Sequence, residues 1–207
     1  MNLIRQIWQW ILRVFSRSLE IPTEGAPERF FDLGVQYYVT ARFAAQAQLS
    51  PVVGNLFHHS IEMLLKAELS KTYSSKQLKH RKFSHDLKRT WKEFQKLYPT
   101  ENLSSFDNAV RELHRFERIR YPDTILKLGM ACSIQWSGSG GTSARGQGAK
   151  VPLYALTVTE LDQLVDKIAE LSSVNMWFYL LRINPDELRF IERDNPAWKR
   201  WLPPERK

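Results

Sequence analysis

The sequence predicts an all-α fold: an antiparallel helical bundle with an N-terminal amphipathic helix, a Gly/Ser-rich loop and a short C-terminal tail. Three observations carry this. Apolar residues recur at three- and four-residue spacing along several long stretches. Most of the breaks between those stretches are short and marked by proline, glycine or serine. Hydrophobic residues make up 43% of 207, enough to fill the core of one good-sized domain. Residues 1–26 read as an amphipathic helix and linker. Residues 27–183 read as the bundle, with a flexible insertion at 131–156, and residues 184–207 as a short helix and a Trp/Pro tail.

In residues 2–17, Leu3, Ile4, Ile7, Trp8, Ile11, Leu12, Val14 and Phe15 form an apolar face. Arg5, Gln6, Gln9, Arg13, Ser16 and Arg17 form the other face. A basic amphipathic helix of this kind lies on a membrane surface, or packs on the bundle or on a second copy. Arg5 and Arg13 interrupt the apolar run, so it is not a signal peptide.

A linker with Pro22, Gly25 and Pro27 precedes a helix over 28–48. Gly34 and the alanines of that helix allow a neighbour to approach closely. Ser50-Pro51 breaks it. The next helix, over 52–72, has Leu56, Ile61, Leu64 and Leu65 on one stripe. His58, Glu62 and Lys66 lie four apart on another, a line of ionisable groups to present.

Ser84 predicts the N-cap of a helix over 85–98, whose stripe is Leu87, Trp91, Phe94 and Leu97. Ser104 and Asp107 have capping-box spacing ahead of a helix carrying Phe106, Val110, Leu113 and Phe116 inward. Arg111, Arg115 and Arg118 share its outer stripe. Tyr121-Pro122-Asp123 stops that helix. Residues 137–150 read as a polar, flexible loop, with short β segments near 131–136 and 151–156. A long helix is expected over 158–182, opened by Thr157 with Glu160. Asn184-Pro185-Asp186-Glu187 opens a short one. Trp198 and Trp201 either pack back on the body or dock a partner.

The net charge of +8 favours an anionic partner: nucleic acid, nucleotide or membrane surface. The single cysteine, Cys132, excludes a disulfide framework and a cysteine-based zinc site within one chain. That balance suits a reducing cytosol. No run of ~20 apolar residues is present to span a membrane.

With the helices placed, Gly54 to Leu87 resembles the HEPN domain, a helical bundle named for nucleotide binding in higher eukaryotes and prokaryotes. The matching pieces are the aromatic-rich helix ending in Ala44-Ala45, the His59–Ala67 run His-Ser-Ile-Glu-Met-Leu-Leu-Lys-Ala, and Ser84-His85-Asp86-Leu87. Arg120-Tyr121-Pro122-Asp123 after a later helix also looks like the family. The resemblance spans about residues 30–123. It implies either a dimeric, metal-independent ribonuclease of toxin, defence or RNA-processing systems, or a non-catalytic binding module. The family's nuclease motif is an arginine, four to six spacers, and a histidine. No arginine here stands at that distance before His58, His59, His80, His85 or His114, and no histidine follows Arg120.

The expectation is therefore a non-catalytic protein that binds RNA or a nucleotide, as a homodimer or within a complex. It is cytoplasmic and peripheral to the membrane if residues 2–17 meet lipid. Arg111, Arg115, Arg118 and Arg120 are the candidate phosphate-binding residues, with His58, His59 and Glu62 beside them. The alternatives are a divergent metal-independent endoribonuclease using His85 or His114 as acid or base, and a protein-interaction or membrane-associated module. His58 and Glu62 stand i, i+4 apart as two metal ligands would, but no third ligand has diagnostic spacing. Neither a metal nor a cofactor is expected.

Overall fold

The computed structural model describes residues 26–74, 77, 78, 83, 85–137 and 151–203. The N-terminal amphipathic helix, the expected cap Ser84, His80 and most of the Gly/Ser-rich loop lie outside them. The described residues are mostly helical, as the apolar periodicity predicts, with one two-stranded sheet.

Helix α1 (Ala26–Gln46) and helix α2 (Val52–Leu69) are the longest elements. They lie so close that a Cβ added to Gly34 would sit 2.7 Å from the Leu64 side chain. Ser60 Oγ, facing the same spot, donates to the Gly34 carbonyl at 2.9 Å. A larger residue than glycine would force these backbones apart.

Helix α3 (Leu87–Leu97) and helix α4 (Asp107–Phe116) pack on the other side of α2, and α6 (Val158–Leu171) completes the wall. The main core cluster holds Phe57, Ile61, Leu64 and Leu65 of α2 together with Tyr38, Leu113, Phe116 and Val165, and Leu69 forms a second, smaller one with Leu78 and Phe83. Each such side chain gains about 1.5–3 kcal/mol on leaving water.

Because α2 is enclosed from several directions, its polar line is not presented to solvent as the sequence suggested. His58 is 1%, Glu62 0% and Lys66 6% exposed. Helical spacing shows that two stripes differ in chemistry. It does not show that both are covered, which depends on how many neighbours pack around the helix.

Several local expectations are corrected. Helix α3 is capped by Asp86, whose side chain accepts from the Arg89 amide at 3.1 Å. The Ser104–Asp107 capping box does not form. Residues Ser104–Phe106 make a 3-10 turn, and Asp107 instead accepts from the Trp91 indole at 2.8 Å. After a second 3-10 turn, Glu117–Ile119, Pro122 does not merely stop the chain. It occupies the first turn of α5 (Pro122–Leu128), where its missing amide costs nothing.

The insertion read over 131–156 is ordered at both ends. Strand β1 (Ala131–Gln135) pairs in parallel with β2 (Leu153–Thr157), from Ala131 opposite Leu153 to Gln135 opposite Thr157. Tyr154 and Leu156 alternate inward, the period-2 signature of a half-buried strand.

The long helix expected over 158–182 breaks after Leu171, where Ser173 turns the chain at φ +56°. Asn175 then caps α7 (Met176–Leu180) by accepting from the Trp177 amide. The apolar period runs through this break, but Asn175 bonds the backbone two residues on, a local bond that competes with helix interior. Thr157 stands at the N-cap of α6 without a side-chain cap bond.

The C-terminal stretch returns to the body. Asn184 caps a 3-10 turn at Pro185–Glu187, followed by α8 (Arg189–Glu192) and α9 (Trp198–Trp201). Trp198 and Trp201 are buried, and the Trp201 indole donates to Asp166 at 2.6 Å. Of the two fates read for these tryptophans, packing on the body is the one observed. Arg42 of α1 anchors the same stretch. Its guanidinium bonds the carbonyls of Phe190 and Arg193 and pairs with Asp162, which also accepts from Tyr38 at 2.7 Å.

No helix among the described residues is long and apolar enough to cross a membrane.

Candidate functional site

Glu62 lies near the middle of α2, and four of the five histidines of the chain gather round it. Its Oε1 receives Lys66 Nζ at 2.5 Å, one helical turn on. Its Oε2 is 3.3 Å from His85 Nδ1, 3.6 Å from His59 Nδ1 and 3.8 Å from His58 Nε2. His58 and His59 come from the preceding turn of the same helix. His85 arrives from the residue before the cap of α3, held at φ +58°. This left-handed conformation costs a non-glycine residue about 1–2 kcal/mol, and it occurs at the position that sets the ring beside Glu62.

His114 of α4 completes the group, its ring stacked on that of His58 with centroids 6.4 Å apart. The aromatic ring of Tyr37 covers His59 at 5.5 Å.

Burial alone would raise the Glu62 carboxyl. The nearby His59, Lys66 and His58 outweigh it and hold the group well below the usual carboxylate range. Burial lowers His58, opposed by the Leu113 carbonyl and by Glu62 and Glu117. The Leu113 carbonyl, 3.1 Å from Nδ1, accepts a hydrogen bond from the N–H of that nitrogen. In the neutral ring Nε2 is therefore a bare lone pair. It has no hydrogen-bond partner and faces Glu62 Oε2 and, at 4.0 Å, Glu117 Oε2. Burial also lowers His114, whose Nδ1 is buried without a partner.

The candidate arginines divide. Arg118 is exposed and its charge is felt by His114. Arg120 reaches Glu117 Oε1 at 3.5 Å, on the carboxylate that faces His58. These two border the histidines. Arg111 instead bonds Asn108 and pairs with Glu112. Arg115 pairs with Glu112, donates to the Leu153 carbonyl at 2.6 Å and covers the Tyr154 ring. Arg115 is thus a fastener between α4 and β2, and the outer arginine stripe is not one surface.

A cleft of about 440 Å³ lies elsewhere, lined by Phe31, Glu68, Lys71, Asn175 and Tyr179. Among the described residues its one cationic side chain, Lys71, is already paired with Glu68 at 2.6 Å.

Sequence reasoning named His58, His59, Glu62, His85 and His114 but did not bring them together. The expectation of no metal rested on the lack of a third ligand at helical spacing from His58 and Glu62. The fold supplies His85 from another element, and ligand atoms of His59, Glu62 and His85 all lie within 4.8 Å of one another. Glu117 was missed altogether. An acid on a basic helix end carries no signal until its neighbours are known.

No family model, curated protein or solved structure matches the chain.

Proposed function

We propose that the chain is a HEPN-like antiparallel helical bundle that binds RNA or a nucleotide by its phosphates at the histidine cluster. On this reading it is a binding module, acting as a dimer or within a complex in a cytoplasmic defence or toxin–antitoxin setting. The observation that carries the proposal is the gathering of His58, His59, His85 and His114 about Glu62, with Arg118 and Arg120 at the border. The half-exposed His85 and the two arginines offer donors to a phosphate. The net charge of +8 draws an anion toward them. The absent arginine–histidine nuclease motif favours binding over family-type cleavage.

The test is the affinity for a labelled single-stranded RNA over a salt series. Affinity falls by roughly 0.7 log units per neutralised phosphate for each decade of salt, and Arg118→Ala with Arg120→Ala lowers that slope. A flat salt response sinks the proposal.

One observation favours a second reading as a metal-independent endoribonuclease. The His114 Nδ1 is without a partner, its pKa lowered by burial, and an accessible imidazole at His85 belongs to the same cluster. A base and an acid are what 2′-hydroxyl attack requires. This reading predicts RNA cleavage that survives EDTA and is lost in His85→Ala and His114→Ala. RNA left intact by the wild type contradicts it.

A further inference from the structure

We propose that His59, Glu62 and His85 form a binding site for one divalent transition-metal ion of the zinc class. The inference rests on the cluster geometry and stands apart from RNA binding.

The distances are those of a coordination shell drawn slightly open. Ligand atoms ~2.0–2.1 Å from a tetrahedral ion lie about 3.3–3.4 Å from one another. Glu62 Oε2 is 3.3 Å from His85 Nδ1 and 3.6 Å from His59 Nδ1. The two histidines lie within 4.8 Å of each other across the carboxylate, so an ion set between the three draws the imidazoles inward. The set comes from two elements, with His59 and Glu62 one turn apart on α2 and His85 ahead of α3, so it exists only in the folded chain.

The supports around the ligands fit the same occupant. Lys66 holds Glu62 by its other oxygen at 2.5 Å, which fixes the carboxylate and leaves Oε2 turned to the imidazoles. His58 supplies an independent observation. Its Nδ1 is committed to the Leu113 carbonyl, and its 1% exposed ring aims an unpartnered Nε2 at Glu62 Oε2. A backbone carbonyl on the far nitrogen is how metal-facing imidazoles are oriented. His58 Nε2 stands 3.8 Å from Glu62 Oε2 and 4.0 Å from Glu117 Oε2, at the edge of the three-ligand group.

Imidazole nitrogen and a single carboxylate select zinc, cobalt or nickel over magnesium and calcium, which want oxygen-rich shells. Three protein ligands leave a fourth position open for water or a phosphate oxygen. The His85 side chain is 45% exposed, which gives the ion a way in.

The experiment is calorimetric titration of the full chain, stripped with chelator and freed of it, with ZnCl₂. The visible spectrum of the Co²⁺-loaded chain is recorded alongside. One Zn²⁺ binds per chain, Co²⁺ gives the intense bands of a tetrahedral site, and millimolar Mg²⁺ does not compete. His59→Ala and His85→Ala each weaken Zn²⁺ at least tenfold. These two are chosen because Glu62→Gln places an unpaired Lys66 in the core and risks unfolding; circular dichroism checks that both variants keep their helices. Absence of binding, undiminished affinity in both variants, or equal competition by Mg²⁺ overturns the proposal. No RNA is present, so failure here leaves the phosphate-binding reading to its own test.

Discussion

At the scale of the residue, the unusual groups are imidazoles placed where charging them is unfavourable. His114 is held below its ordinary value by burial. Asp86 and Glu117 pull it up, while Lys88 and Arg118 push it down. His58, stacked on it, is lowered in the same direction. A histidine whose folded value is depressed gives stability that is present in full above the unfolded value near 6.5 and is lost as the pH falls through the folded value. Stability therefore declines as the pH falls below about 6.5. Urea midpoints measured at pH 7 and pH 5 in wild type and His114→Gln check this. The variant has the shallower decline, and an unchanged decline removes His114 from the account. These residue types were all visible in the sequence, and their chemistry near neutral pH follows from identity alone. Their shifts were not visible, because burial of a ring is set by elements far away in the chain.

At the scale of the element, α2 was placed correctly and its neighbours explain what periodicity left open. The stripe of Leu56, Ile61, Leu64 and Leu65 marked a helix, while the line His58–Glu62–Lys66 was expected to face solvent and faces α4 and the cap of α3 instead. The outer arginine stripe failed for a related reason. Helical spacing put Arg111 and Arg115 together, but β2 packs beside α4 and takes Arg115. The latch that fastens the C-terminal stretch had no sequence signal. Arg42 reads as one more polar residue on a helix, yet it is fully buried against Asp162, Phe190 and Arg193. Removing one partner of a buried pair leaves the other charge uncompensated, at a cost of about 3–5 kcal/mol. Asp162→Ala should lower stability by that amount in urea unfolding, and Arg42→Ala should also free the stretch beyond Pro185 to early proteolysis. A loss below about 1 kcal/mol in both variants means that the latch contributes little.

At the scale of the whole molecule, the helix-rich class and most helix positions were legible, because a 3.6-residue period survives any arrangement of helices. Boundaries at Ser173, Pro122 and Asp107 were not, since each depends on a local hydrogen bond or a neighbour. The candidate site was legible as a set of residues and illegible as a place. Positions 58, 59, 62, 85 and 114 belong to two helices and a cap, and only tertiary packing brings them together. The same packing divides the basic charge into arginines that border the histidines and arginines that brace the fold.

That division is the central claim, and RNA affinity in matched arginine variants tests it most directly. Labelled single-stranded RNA is titrated at low salt into wild type, Arg118→Ala and Arg111→Ala. The account predicts that Arg118→Ala weakens binding several-fold while Arg111→Ala stays within twofold of wild type. Equal weakening in both would mean that the anion follows the outer stripe and that the histidine cluster is not where it binds.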